Sequence, residues 1–498
     1  MRRVLIAAAI GLLAGTPVAA AGSERLPQAS ESPPQASESP PQASESPPQA
    51  DDAPHPDIGD FFEALAPDDD RAAEALDRIA SRWRDGYSGM LWDLVTLIAR
   101  PSRLDAPSAS EPLAARVWRR LVGFLEERTG ERFGGDLMRA QRWIWEQPYD
   151  PHPRYAFLKG TWYAEIDPAF QRFFPDGVTS TIRLDEIVWG GVRVNGIPPL
   201  EYPRHVAAAE AAYLDDDHVV FGIAAGGEAR AYPKRILAWH EMALDRIGGR
   251  ELTIVYCTLC GTVIPYESVV GGRHVRFGTS GLLYRSNKLM FDHDSGSLWN
   301  TITGEPVVGA LVGSGLRLTH RAVVTTTWGE WRRMHPGTTV LSIATGHRRD
   351  YSEGAAYREY FATDRLMFQV PQRDERLRNK DEVLVLMLET AAGARQPVAI
   401  AADYLARNRL YETVQAGHRL VVVTSREGAN RVYDAGGVRF ARATGDARVV
   451  DTAGGGWTVT AEALVAEADP ERRLPRVAAQ RAFWFGWYAQ YPQTVLIR

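Results

Sequence analysis

Two cysteines, Cys257 and Cys260, are the only thiols in 498 residues, and two residues separate them in the stretch ELTIVYCTLCGTVIPY, Glu251 to Tyr266. Sulfurs at this spacing can share one metal ion, close one small disulfide ring, or lie as a structural pair of thiols. Gly261 directly follows the second cysteine. A glycine there suits a tight turn with φ > 0 whose backbone N–H groups point at sulfur, not the helix that carries the second cysteine of thioredoxin-like proteins. Thiolates select soft or borderline metals, copper first and zinc second, and a closed site needs further ligands. His240 is the best third ligand. It lies on the segment Lys234–Arg246, expected to be helical because Pro233 suits a first helical turn. Glu241 beside it can support a ligand or act as a general base next to a bound water. Three readings follow: a metal site built from Cys257, Cys260 and His240, a thiol–disulfide redox pair, or a scaffold with a structural pair.

A second constellation runs from Phe277 to Trp299. Ser280 and Asp292 join Glu241 as candidate catalytic groups, and Met290 and His293 are weaker candidate copper ligands. Asp292-His293-Asp294 followed by Ser295-Gly296-Ser297 also reads as a polar hairpin turn. Ser280 is not in a G-x-S-x-G elbow, which argues against a serine hydrolase. No nucleotide-cofactor motif is expected. The expected partner is a small molecule or a metal.

These groups need strands to hold them. Leu252, Ile254 and Tyr256 alternate with Thr253 and Val255 into the first cysteine, and Thr262–Tyr266 leads out of the second. The region also repeats internally. Leu252–Val255 aligns with Leu420–Val423, and Val219–Pro233 with Val383–Pro397. Asp292, Gly296 and Trp299 parallel Asp451, Gly454 and Trp457. Trp328-x-x-Trp331 before Pro336 matches Trp484-x-x-Trp487 before Pro492. The second copy has Ser425 and Gly428 where the first has Cys257 and Cys260, so the site is expected in one half only. The fold class is α+β: two duplicated β-rich halves, 151–375 and 376–498, preceded by a helical region over 57–150 that can dock a protein partner.

Arg2-Arg3, the apolar run Val4–Leu13 and an Ala19-x-Ala21 pattern predict a secretory leader over 1–21. Residues 22–56, with three copies of QASESPP, predict a disordered linker. The mature chain is then periplasmic or secreted. No later run is long enough to span a membrane, and a net charge of −5 from 57 basic and 62 acidic residues gives no reason to expect nucleic acid.

From about residue 177 to 498 the chain resembles the bacterial and archaeal family called domain of unknown function 3179. The resembling segments are WGGVRVNGIPPL, ARAYP-x4-L-x-WHE, VYCTLCGTVIPY, FGTSGLLYRSNKLMFDHDSGSLWNTITGEPVVG, TGHRRDY and FWFGWYAQYPQTVL. The resemblance implies no activity. The family often has Asn-Asp after His-Glu, where this chain has Leu244-Asp245, and usually Pro between the cysteines, where this chain has Thr258.

Overall fold

The computed structural model describes residues 54–98 and 112–498. The expected leader and the three QASESPP copies lie outside the described residues. The chain divides into two units, Met1–Gly135 and Asp136–Arg498.

Among its described residues the first unit is helical: Ile58–Glu63, Asp69–Ala80, Ser88–Thr96 and Leu113–Thr129. Asp57 and Asp68 cap two of these helices by accepting from Gly59 N and Arg71 N, and Gly130, at φ 73°, stops the last. Ala72, Leu76, Leu91, Leu94, Trp118 and Leu121 fill its interior.

The second unit mixes helices with many strands. It opens with the helix Leu137–Glu146, whose last carbonyls, Ile144 O and Trp145 O, accept from Arg183. Two of its sheets share a strand order. In one, Val324–Thr327, Val219–Ala225, Glu228–Pro233 and Thr339–Leu341 lie in sequence, with His205–Ala207 at the edge. In the other the order is Gln480–Phe483, Glu382–Glu389, Arg395–Ala401 and Val495–Ile497. In both, the first two pairings are antiparallel and the third is parallel. The hairpin of the second sheet is longer. Ala401, not Pro397, directly precedes its helix, so Pro397 is not the counterpart of Pro233.

Cys257 ends, and Cys260 follows, an inner strand of a third sheet, ordered Leu200–Glu201, Met242–Ile247, Arg250–Cys257, Thr262–Glu267. The expected helix over Lys234–Arg246 stops at His240. Met242–Ile247 instead pairs with Arg250–Cys257, Met242 opposite Val255, because five of its six residues are buried and a strand places them against the sheet. The reversal falls on Glu241, which adopts the left-handed conformation at φ 54°. Cys257, Cys260, Met290 and Trp299 share one core with Val383, Phe483, Trp484 and Trp487, so the stretches 151–375 and 376–498 both contribute to the packing around the cysteines.

Candidate functional site: a buried dithiol with a lysine and a glutamate

Cys257 ends its strand opposite Thr262, and Thr258–Gly261 turns the chain. Gly261 takes φ 59°, as the sequence suggested, and a Cβ there would lie 2.8 Å from the Phe483 ring. The thiols are free, and their Sγ atoms are 2.8 Å apart. Both are buried, Cys257 at 2% exposure and Cys260 at 0%. Above them, a Cβ on Gly486 would approach the Cys260 Cβ to 2.9 Å, and Tyr360 donates to Leu259 O at 2.8 Å. Cys260 Sγ lies 3.5 Å from Ser286 O and 3.8 Å from Asn287 Oδ1.

The His240-Glu241 pair sends its two side chains to different places. His240 has Nδ1 2.9 Å from Pro198 O and Nε2 2.6 Å from the Tyr351 hydroxyl, with the His347 ring 5.0 Å away. Among the described residues no three His, Cys, Asp or Glu side chains converge as a metal ligand set, so the expected trio Cys257, Cys260 and His240 is not assembled. Glu241 is the member that turns toward the cysteine loop. Its Oε1 accepts from Thr258 Oγ1 at 3.2 Å and from the Tyr357 hydroxyl at 3.1 Å. Its Oε2 is 3.4 Å from Lys288 Nζ, which also donates to the Glu241 carbonyl at 2.8 Å. This lysine is 4% exposed and the glutamate 7%, so the ion pair is buried beside the thiols.

The surroundings split the thiols. Burial raises the Cys257 thiol, but the hydrogen bond from Cys260 and the Lys288 backbone N–H hold it below the ordinary range. Burial, then the neighbouring sulfur, pushes Cys260 well above that range. Burial lowers Lys288, while Glu241 and Cys257 favour its charge. The nearby charge of Glu241, followed by burial, holds Tyr357 far up. Ionisation is thus favoured at Cys257 and disfavoured at Cys260, with the Lys288–Glu241 pair close by.

A sequence model described as "Protein of unknown function (DUF3179)" matches residues 194–494. The chain belongs to this family. No curated protein and no solved structure matches it.

The DUF3179 segment holds every site residue singled out above, but it groups them unevenly. Ser280 is fully buried, donates to Leu289 O at 2.6 Å and accepts from Leu282 N, at a register shift between Thr279 and Leu283. Asp292 organises the turn after it, accepting from Ser295 N and from Trp299 Nε1 at 3.0 Å. Met290 sits in the shared core, and the His293 ring is 4.8 Å from Phe291. Two residues of the site went unnoticed in the sequence. Lys288 had a visible signal, a lysine directly before the apolar run Leu289-Met290-Phe291. Tyr357 had none, since only the fold brings it to Glu241. The two-residue turn before Lys288 is made by Arg285 and Ser286, both non-glycine with φ of 49° and 60°. Backbone in this region costs of order 1–3 kcal/mol per residue. Arg285 is fixed by Glu186 at 2.5 Å, and the turn sets Ser286 O against Cys260.

Proposed function

We propose that this DUF3179 protein is a thiol–disulfide redox protein in which Cys257 is the attacking sulfur and Cys260 the resolving one. The observation that carries the reading is the split between the two thiols beside the buried Lys288–Glu241 pair. The co-reactant is a disulfide, R–S–S–R. The Cys257 thiolate attacks one of its sulfurs, forming a mixed disulfide and releasing R–S⁻, which takes up a proton. Cys260 then loses its proton, attacks the Cys257 sulfur and releases the second thiol. Counting the proton that Cys257 gave up on ionising, the protein loses two electrons and two protons, and the co-reactant gains both. Lys288 offsets the thiolate charge during the first attack. With both sulfurs covered, exchange requires the Phe483–Gly486 side to open. Export through the leader over 1–21 belongs to this reading, since an oxidising compartment supplies disulfides.

The reading also takes the two halves as one duplicated unit. Its support is the shared strand order and two matched hydrogen-bond pairs. Trp331 Nε1 donates to Thr338 Oγ1 at 2.8 Å and Trp487 Nε1 to Thr494 Oγ1 at 2.9 Å. Trp299 Nε1 donates to Asp292, and Trp457 Nε1 donates to Asp451 at 2.9 Å.

Copper(I), then zinc, is the second reading. Gly261 at φ 59° and the Lys288 N–H toward Cys257 favour it, as a turn that directs backbone donors at sulfur. Two thiolates suffice for two-coordinate copper(I), whereas closed zinc needs four ligands.

The test is equilibration of the purified full chain in thiol–disulfide buffers, with and without chelator, followed by thiol counting. A two-electron transition lost in both Cys257→Ser and Cys260→Ser supports the proposal. Absence of any transition in wild type, with metal bound one to one, overturns it in favour of the second reading. The double serine variant is expected to fold. Closing so small a loop constrains the unfolded chain little, and the other half manages with Ser425 and Gly428.

A further inference from the structure

A cleft of about 190 Å³ lies between residues of the stretches 266–320 and 387–491. One wall comes from Tyr266, Thr303 and the segment 317–320, the other from Met387, Arg395, Gln480 and the helix Trp484–Gln490 with Tyr491. Three buried polar atoms of its lining have no hydrogen-bond partner: Thr303 Oγ1, His320 Nε2 and Gln480 Oε1. Gln480 is only 5% exposed. An unmet buried polar group costs about 1–3 kcal/mol, so three around one space mark a place built for something that hydrogen-bonds.

The lining also says what kind of molecule that is. Its charges cancel. Arg317 and Arg395 both bond Glu305 Oε1, at 2.5 and 3.1 Å, and Glu389 also lines the cleft. Burial holds His320 at a pKa of about 4, so it is neutral at pH 7. An anion here would meet Gln480 Oε1 and Glu389, and a cation would meet the two arginines. The three unmet atoms differ in kind. Gln480 Oε1 only accepts, while the threonine hydroxyl and the imidazole nitrogen each give or take a proton according to rotor and tautomer. Hydroxyl groups do both without charge. Aromatic rings complete the wall: Tyr266, with Trp487 and Tyr491 whose ring centres are 4.6 Å apart. The volume holds roughly six waters at ~30 Å³ each, below the range of drug-sized sites.

We propose that this cleft binds a small neutral molecule carrying several hydroxyl groups, of the size of one sugar ring. The proposal does not rest on the redox reading, because it uses the unmet polar atoms of the cleft and no property of the thiols.

The experiment is saturation-transfer NMR on the full chain with D-glucose and N-acetyl-D-glucosamine, using D-glucuronate and D-glucosamine as charged controls. Neutral sugars are expected to bind in preference to both controls. Gln480→Leu and Thr303→Val should each bind about tenfold more weakly, the loss of one hydrogen bond worth ~1.4 kcal/mol. The Cys257→Ser, Cys260→Ser double variant should bind as wild type does. Hydrogen exchange of wild type with and without sugar gives a readout that needs no variant, with protection expected over 300–304, 317–320 and 478–482. Absence of binding by either neutral sugar overturns the proposal and leaves a water-filled cleft. Preference for a charged control, or protection elsewhere in the chain, overturns it equally.

Discussion

Replacing Lys288 with Met tests the electrostatic core of the dithiol site. Met keeps an unbranched apolar chain of similar length and removes only the ammonium group. In the native protein that group is 3.4 Å from Glu241 Oε2 and 2.8 Å from the Glu241 carbonyl, with both side chains under 10% exposed. Breaking a buried pair by removing one partner costs about 3–5 kcal/mol, because the other charge stays buried without its counterion. Thr258 and Tyr357 still donate to the carboxylate, which places the expected loss near the lower end. The thiol responds separately. A unit charge within about 4–6 Å moves an ionisation by roughly 1–3 pH units, and the Cys257 thiolate and the Lys288 ammonium favour each other's charge. Lys288→Met should therefore move Cys257 ionisation upward by one to two units, read from the pH dependence of alkylation or from thiolate absorbance (about 1.4 kcal/mol per unit). Stability is read from urea melts. The double variant Lys288→Met, Glu241→Gln removes both charges and should recover most of the lost stability, since the cost is that of an orphaned charge. The reasoning is refuted if Lys288→Met leaves Cys257 ionisation where it was, or if the double variant is less stable than the single one.

Two further outcomes follow from the packing and from the histidines. Gly486→Ala should destabilise by about 1–3 kcal/mol despite alanine's better helix propensity, because its methyl would sit 2.9 Å from the Cys260 Cβ, and Cys260→Gly in the same chain should relieve part of that loss in thermal melts. His240 is fully buried, and burial holds its pKa at about 4, below the unfolded value of 6.5. As pH falls, the unfolded chain takes up the proton first, so stability is complete above pH 6.5 and lost toward pH 4. Between pH 7.5 and 5 that is about 2 kcal/mol. His240→Gln should flatten the acid limb by this amount, and an unchanged limb would show that the imidazole titrates normally.

The strands around the cysteines were legible in the sequence because apolar alternation and the turn glycine are local signals. Leu252, Ile254 and Tyr256 face one way in the strand Arg250–Cys257, and Gly261 does take a positive φ. The segment after Pro233 misled, since a helix start is a local signal but its stop at Glu241 is decided by pairing with Arg250–Cys257. That stop also separated His240 from the site. The left-handed Glu241 turns its own side chain toward Thr258 and Lys288, while His240 stays against Pro198 and Tyr351. Asp292 was legible as a turn residue from the Asp-His-Asp-Ser-Gly-Ser stretch. It is the anchor of a turn and of Trp299, and the matching Asp451–Trp457 pair says the same in a half that has no cysteines.

The stretches 151–375 and 376–498 each lay a helix against a turn of the other. The helix Trp484–Gln490 covers the Cys257–Cys260 turn, and at the contact it carries Gly486, where any Cβ would collide with Cys260. The helix Trp328–Met334 covers the matching turn of the second half. By the spacing of the paired tryptophans, Glu330 stands where the other helix has Gly486. Glu330 accepts from Ser425 Oγ at 2.7 Å and pairs with Arg431, both ionic partners almost fully buried. The turn beneath it has Gly428 in place of Cys260, which leaves room for a carboxylate. Each contact therefore holds one substantial side chain, a cysteine from the turn on one side and a glutamate from the helix on the other. The glutamate contact has its polar groups satisfied and nothing left to react. The cysteine contact is closed by a glycine that makes no bond to sulfur, so Cys260 stays available to Cys257. If the halves are the duplicated unit and the cysteines the redox pair proposed above, one copy serves as an ionic clasp and the other keeps a covered, reactive pair.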